Sequence, residues 1–339
     1  MKNILVIKLR YIGDVLLATP VLRALRDQFP EARVTILVNR GTEDIVKWNP
    51  DLNEVLVVDR RGAGEQVRFV RDIRCRRFEC VIDLTDGDRS AIVTWMTGAP
   101  MRIGFNEERR WRGLLYSHVV ATGSDRIHRV ERDLEALRPL GVEPKAGPLV
   151  LHTSSEDEEV AARLLQDLGF EQSSGDTRRL LVLLHPGARY WFKAWPAERF
   201  AELADCLADA FGCRVLVGGD AGDREVAEAI RARARSAPAV LAGRTTLLQL
   251  AAVLKRCALF IGNDNGPMHM ASAMGTPVVA LFGPSNPAQW GPRGGKVKVI
   301  YKELDCRQCF HLTCYRGNQS CMKLITVEEV FQAARRLLV

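Results

Sequence analysis

Apolar residues recur along the chain in two alternating rhythms. Short, nearly solid apolar runs at 3–8, 34–38, 54–58, 80–84 and 101–104 suit strands buried on both faces of a parallel sheet. Between them, 14–28 places Val15, Leu16, Ala18, Val21, Leu22 and Leu25 at helical spacing. Helices are likewise predicted over 42–48, 64–75, 90–96 and 126–140, the last closed by Gly141. A charged amphipathic helix at 156–168 leads into a polar, turn-rich stretch, 171–179, which reads as a linker. The alternation then resumes, with strands at 180–184, 214–218, 240–241, 258–261 and 277–282. Helices at 196–211, 223–235 and 247–256 separate most of them, and a last helix is predicted at 326–338. Strand–helix alternation of this kind predicts an α/β protein of two doubly wound parallel sheets facing each other across a cleft. The expected segments are a first domain at 1–153, a connecting helix and linker at 154–179, a second domain at 180–325 and a terminal helix at 326–339. Ligands of such sheets sit at the carboxyl ends of the strands, so the strand-end turns are where chemistry is sought.

Composition narrows the class. A length of 339 residues suits two domains, and 47% hydrophobic with 26% charged residues is globular. No apolar run approaches the roughly 20 residues of a membrane span. The N-terminal run is soon interrupted by Lys8 and Arg10 and has no small-residue cleavage site, so it reads as a strand of a cytoplasmic protein. The net charge of +7 is clustered: seven arginines fall between Arg60 and Arg77, and Arg109, Arg110 and Arg112 flank Trp111. Such clusters suit anionic lipid headgroups or a phosphorylated substrate as well as a solvated helix face. No nucleic-acid-binding signature accompanies them, so nucleic acid is not expected as a partner. Cys75, Cys80, Cys206, Cys213 and Cys257 stand singly among apolar neighbours, as in a reduced compartment.

Three strand-end turns carry the candidate chemistry. The first, I-K-L-R-Y-I-G-D, contains Gly13 alone where a dinucleotide fingerprint needs three glycines, which disfavours an NAD enzyme. Its Asp14 opens a helix and is read either as a cap or as a general base. In the second, H-P-G-A-R-Y-W-F-K-A-W-P, Gly187 and Ala188 are small enough for close backbone approach by a ligand. Lys193 there brings a compact positive charge suited to phosphate. The third, G-N-D-N-G-P-M-H, places Asp264, Asn265, Gly266 and His269 at a strand-to-helix turn. Pro267 suits the first helical position, and Gly275 with Pro277 ends the helix. Free N–H groups at such a helix start favour an anion. A fourth turn, G-G-D-A-G-D, offers Asp223 to a ribose.

Together I-K-L-R-Y-I-G-D, H-P-G-A-R-x-x-x-K-x-W-P, and D-N-G-P-M-H followed by G-T-P-V-V-A-L-F-G-P resemble glycosyltransferase family nine, the ADP-heptose:lipopolysaccharide heptosyltransferases. The resemblance spans nearly the whole chain. The strings I-H-R-V-E-R at 127–132, V-I-D-L-T-D at 81–86 and W-F-K-A-W at 191–195 most resemble the heptosyltransferase III branch. It implies a GT-B fold of two Rossmann-like domains, the acceptor on the first and an ADP-heptose donor on the second. It also implies inverting transfer without a metal or other cofactor. Asp14 matches the family's general base, Lys193 its donor-phosphate contact, and Asp264, Gly266 and His269 its donor loop. An acidic lipopolysaccharide inner-core acceptor calls for a cationic face, for which Arg60, Arg61 and Arg129, with Gly13 beside the base, are the candidates. A peripheral position at the inner face of the cytoplasmic membrane follows from such an acceptor.

Cys306, Cys309, Cys314 and Cys321 fall within sixteen residues, but their spacing matches no usual zinc or iron–sulfur pattern. Structural metal, free thiols and a disulfide all stay open for them; none is expected to be catalytic. Two other functions share this architecture, a nucleotide-sugar epimerase and a non-catalytic nucleotide- or glycolipid-binding protein.

Overall fold

Two successive units divide the chain in the computed structural model, Met1–His152 and Thr153–Val339. The structure describes residues 1–58, 63–122, 127–170, 180–306, 309 and 314–339. In the first unit the order is β1 (Asn3–Lys8), α1 (Ile12–Leu17), α2 (Thr19–Gln28), β2 (Arg33–Asn39) and β3 (Glu54–Val58). Then come α3 (Ala63–Cys75), β4 (Cys80–Asp83), α4 (Asp88–Met96), β5 (Met101–Phe105), β6 (His118–Val120) and α5 (Arg129–Glu135). Its six parallel strands lie in the order β3-β2-β1-β4-β5-β6. The inner strands are buried on both faces, which is why they appear as solid apolar runs.

The second unit begins with α6 (Ser155–Asp167), β7 (Leu181–His185), α7 (Ala197–Phe211), β8 (Arg214–Val217), α8 (Arg224–Arg233) and β9 (Ala239–Val240). It continues through α9 (Leu247–Leu254), β10 (Leu259–Asn263), α10 (Gly266–Ala273), β11 (Val278–Phe282), α11 (Pro287–Trp290) and β12 (Val297–Tyr301). Two last helices, α12 (Cys321–Leu324) and α13 (Val327–Leu338), complete it. The second sheet runs β12-β11-β10-β7-β8-β9, again wholly parallel. Helix α6 packs on α9 and α13 packs on α7, so the connecting helix and the terminal helix both belong to this unit. The proposed linker at 171–179 lies outside the described residues.

Each sheet has one switch point, where the chain leaves in one direction and returns to build the other half. It falls between β1 and β4 in the first unit and between β7 and β10 in the second. The carboxyl ends of the strands beside such a switch point are the usual ligand position in open α/β sheets.

Several expected elements differ from those observed. The helix at 14–28 is two helices hinged at Ala18, because Pro20 offers no N–H and its ring would crowd the Leu16 carbonyl, which takes the Thr19 hydroxyl instead (2.7 Å). The helix at 126–140 stops at Glu135 and resumes as a single 3₁₀ turn, Arg138–Leu140, around Pro139. The segment 42–48 holds only the 3₁₀ turn Glu43–Ile45; the Thr42 hydroxyl bonds the Asn39 carbonyl (2.8 Å). Both β6 and β12 are edge strands with half-exposed patterns, so neither produces a solid apolar run.

Candidate active site

At the switch point of the first unit, β1 ends in Lys8, whose side chain is fully buried. Its ammonium donates to the Leu84 carbonyl just past β4 (3.0 Å) and to the Asp133 carboxylate on α5. The Leu9 N–H donates to the Thr85 hydroxyl (2.8 Å), joining the same two strand ends. Arg129, at the first position of α5, brings Nε to 3.6 Å from Asp133, and Arg132 brings Nη1 to 3.8 Å. Asp14 lies beside this cluster. It occupies the third position of α1, where Tyr11 is the cap residue, so it is not the cap that its place in the sequence suggested. Its carboxylate is half-buried and accepts no hydrogen bond among the described residues. Burial pushes its pKa up, Lys8, Arg129 and, more weakly, Arg10 pull it down, and Asp133 pushes it further up. Burial likewise lowers the Lys8 ammonium, against the attraction of Asp133.

The buried charges extend along the ends of β4 and β5. Asp86, in the left-handed region at φ 58, binds both Arg112 (2.8 Å) and Arg132. The Arg132 guanidinium also lies 3.9 Å over the Phe105 ring. Fully buried Asp83 accepts from the Tyr116 hydroxyl (2.7 Å) and the Thr85 N–H (2.8 Å), and burial raises its pKa. This framework fixes α5 and the turn after β4, and through them the surroundings of Asp14.

In the second unit the switch point gathers the other candidates. Lys193, in a 3₁₀ turn between β7 and α7, holds the Asp264 carboxylate at 2.7 Å, and both side chains keep some exposure, 16% and 10%. Asn263 ties the two loops: its Oδ1 accepts from the Trp195 N–H (3.1 Å) and its Nδ2 donates to the Pro186 carbonyl (2.7 Å). Asn265 is the N-cap of α10, its Oδ1 accepting from the Met268 N–H (3.0 Å) while its Nδ2 donates to the Gly187 carbonyl (2.8 Å). That orientation makes the His185 Nδ1, 3.0 Å from Asn265 Nδ2, an acceptor, so the buried ring is neutral with its proton on Nε2. Burial lowers its pKa in the same sense. Gly266 is the first helical residue and Pro267 the second, one place later than expected; His269 is buried one turn into the helix.

Asp223 does not stand free at its turn. It closes a reciprocal cap with Asp220, whose N–H it accepts at 3.1 Å, and its carboxylate lies against Gly187, where any Cβ would collide with it. Gly187 is thus small because Asp223 is there, and Ala188 beside it is partly exposed. Arg60 and Arg61 lie outside the described residues. Arg129 turns toward Asp133, with its side chain only 16% exposed, and Gly13 is buried within α1. The four clustered cysteines, like the other five, form no disulfide. Sequence reasoning missed Lys8, Asp133, Asn263 and His185; the only local signal was a lysine closing a strand that is otherwise apolar.

Residues 66–319 match the family described as glycosyltransferase family 9 (heptosyltransferase). The chain belongs to glycosyltransferase family 9. It is 28% identical to lipopolysaccharide heptosyltransferase 3 of Escherichia coli K12, over 97% of this chain and 96% of that protein. Among solved structures it resembles the family 9 glycosyltransferase of Veillonella parvula, at TM-score 0.86 and 28% identity, covering 99% and 97% of the two chains. It also resembles the E. coli ADP-heptose lipopolysaccharide heptosyltransferase II, at TM-score 0.79 and 27% identity over 100% and 98%. Both sheets of this family 9 enzyme are those of the GT-B heptosyltransferases, as its motifs led one to expect. Membership favours a glycosyl-transferring enzyme over the epimerase and the non-catalytic binder.

Proposed function

We propose that this family 9 enzyme moves heptose from ADP-heptose to the inner core of lipopolysaccharide, with inversion and without a metal. The relatives named for that reaction support the substrates. The observation that carries the mechanism is Asp14: a half-buried carboxylate with its lone pairs open and its pKa raised, at the switch point of one unit. An inverting displacement needs such a base to take the proton of the acceptor hydroxyl as its oxygen attacks the anomeric carbon. The ADP leaving group gains negative charge at the diphosphate. Lys193 and the N–H groups opening α10 supply positive potential at the other switch point, in place of a cation. Asp264, held by Lys193, and His269 complete the donor loop, with Gly187 and Ala188 giving close backbone approach and Asp223 offering the ribose the carboxylate oxygen that its cap with Asp220 leaves over.

In this reading the first unit binds the acceptor, through Gly13 and the arginines Arg60, Arg61 and Arg129. The enzyme works from the cytoplasm at the inner face of the membrane. Asp14→Asn tests the scheme. Turnover, followed as acceptor-dependent ADP release, should fall by a factor of ~10²–10⁴, with ADP affinity unchanged. Near-normal turnover would remove Asp14 as the base.

A further inference from the structure

Among the exposed large apolar side chains of the first unit, Ile92 (36% exposed), Trp95 (56%), Trp111 (49%) and Leu114 (87%) lie on two adjoining elements. They are arranged, not scattered. On α4, Asp88, Ile92 and Trp95 follow at i, i+4 and i+7 and so form one stripe, while Ala91, Val93 and Thr94 fill the buried side. Asp88 at the head of the stripe binds Arg110 (3.0 Å) and Arg112 (3.3 Å), which bracket Trp111, so the 3₁₀ turn Trp111–Leu115 is fastened beside it. Within that turn Trp111 and Leu114 are three residues apart and eclipse one another. Exposed arginines from α3 and from the segment before the 3₁₀ turn stand beside these elements. The Arg74 guanidinium of α3 lies over Gly98, three residues beyond Trp95, with Arg71 exposed one turn earlier on the same helix. Arg109, exposed, comes two residues before Trp111.

Exposed tryptophan and leucine on two packed elements, with exposed arginines nearby, is the chemistry of a surface that enters the headgroup layer of an anionic bilayer. We infer that this patch seats the enzyme on an anionic membrane surface. The inference rests on the proposed lipid-anchored acceptor, since an enzyme acting on such a molecule must meet it at the bilayer. Among the described residues no helix is long and apolar enough to cross a membrane. Reversible docking then supplies the contact, the aromatic side chains entering the interface while the arginines pair with phosphates.

The test is cosedimentation with equimolar phosphatidylcholine–phosphatidylglycerol vesicles against pure phosphatidylcholine. The full chain should bind the anionic vesicles selectively, and Trp95→Ser/Trp111→Ser/Leu114→Ser should weaken that binding by about tenfold or more. The same variant should turn over a deacylated, water-soluble core acceptor at the normal rate and the vesicle-borne acceptor more slowly. Undiminished vesicle binding by the variant, or none by the unmodified enzyme, overturns the inference; turnover of the deacylated acceptor would still uphold the proposed function. Absence of that turnover in the unmodified enzyme instead removes the functional reading, whatever the vesicles show. A dimer in sedimentation analysis that the variant dissociates would assign the patch to a second copy and overturn the bilayer. Should the triple variant fail to fold, Leu114→Ser, at the most exposed position, gives the same readout.

Discussion

Lys8 keeps an ammonium group in a strand whose other inner residues are aliphatic, and it is held there by Asp133 and one carbonyl. Removing one partner of such a pair usually costs about 3–5 kcal/mol, whereas an apolar replacement of both is often tolerated. Lys8→Met/Asp133→Leu is therefore the informative variant. Lys8 draws the Asp14 carboxyl down more strongly than Asp133 pushes it up. Losing both should raise that pKa further. A base acts only when ionised, so the acid limb of kcat/KM should move to higher pH, with the plateau at alkaline pH retained. A pH profile at saturating donor checks this; an unmoved limb would separate the pair from the base. Asp14 itself was legible in the sequence, because the motif around it is short and local. Its neighbourhood was not: Lys8 and Asp133 are 125 positions apart, and no local pattern announces a charge pair of that reach.

Among elements, the solid apolar runs gave the inner strands to within a residue or two, because burial on both faces removes polar positions. The edge strands β6 and β12 escaped for the opposite reason, and the two long helices were overextended through Pro20 and Pro139. In the turns after β7 and β10, the motifs singled out Lys193 and Asp264 but not that they bind each other, which depends on the β7–β10 pairing. That pairing has a consequence for ligand affinity. Lys193→Ala removes a cation and also leaves the Asp264 carboxylate facing the diphosphate. ADP binding by calorimetry should weaken roughly ten- to a hundredfold, the range of a charge-assisted hydrogen bond. Lys193→Ala/Asp264→Asn should recover part of that loss. Additive losses would show that the two residues act apart.

At the scale of the molecule, two contiguous units hold separate cores, one built on β1 and β4 and the other on β7 and β10. The change in composition near 171–179 pointed to two domains, but it could not show that α6 belongs with α9. That follows from packing, and from Glu158, which binds Arg256 and Lys255 across the two helices. Every donor contact proposed here comes from the second unit. A chain of residues 153–339, keeping the Ser154 cap of α6, should therefore bind ADP with close to the affinity of the whole enzyme and have no transferase activity. Calorimetry and an ADP-release assay check both halves of that statement. A failure to bind would mean that the first unit helps to shape the donor site.

Helix α13 lies on α7 and along β10–β12, and the Trp195 indole beside the Lys193 loop donates to the Ile325 carbonyl just ahead of it (3.0 Å). This arrangement sets an order of events during synthesis. The first unit is complete in sequence at His152 and can fold while translation continues. The second cannot cover the side of β10 and β11 that lies against α13 until residues 327–338 have been made, so that part of its apolar sheet face waits uncovered until then. A nascent chain stalled short of 327 should accordingly be held by chaperones, with its amino-terminal half already protease-resistant.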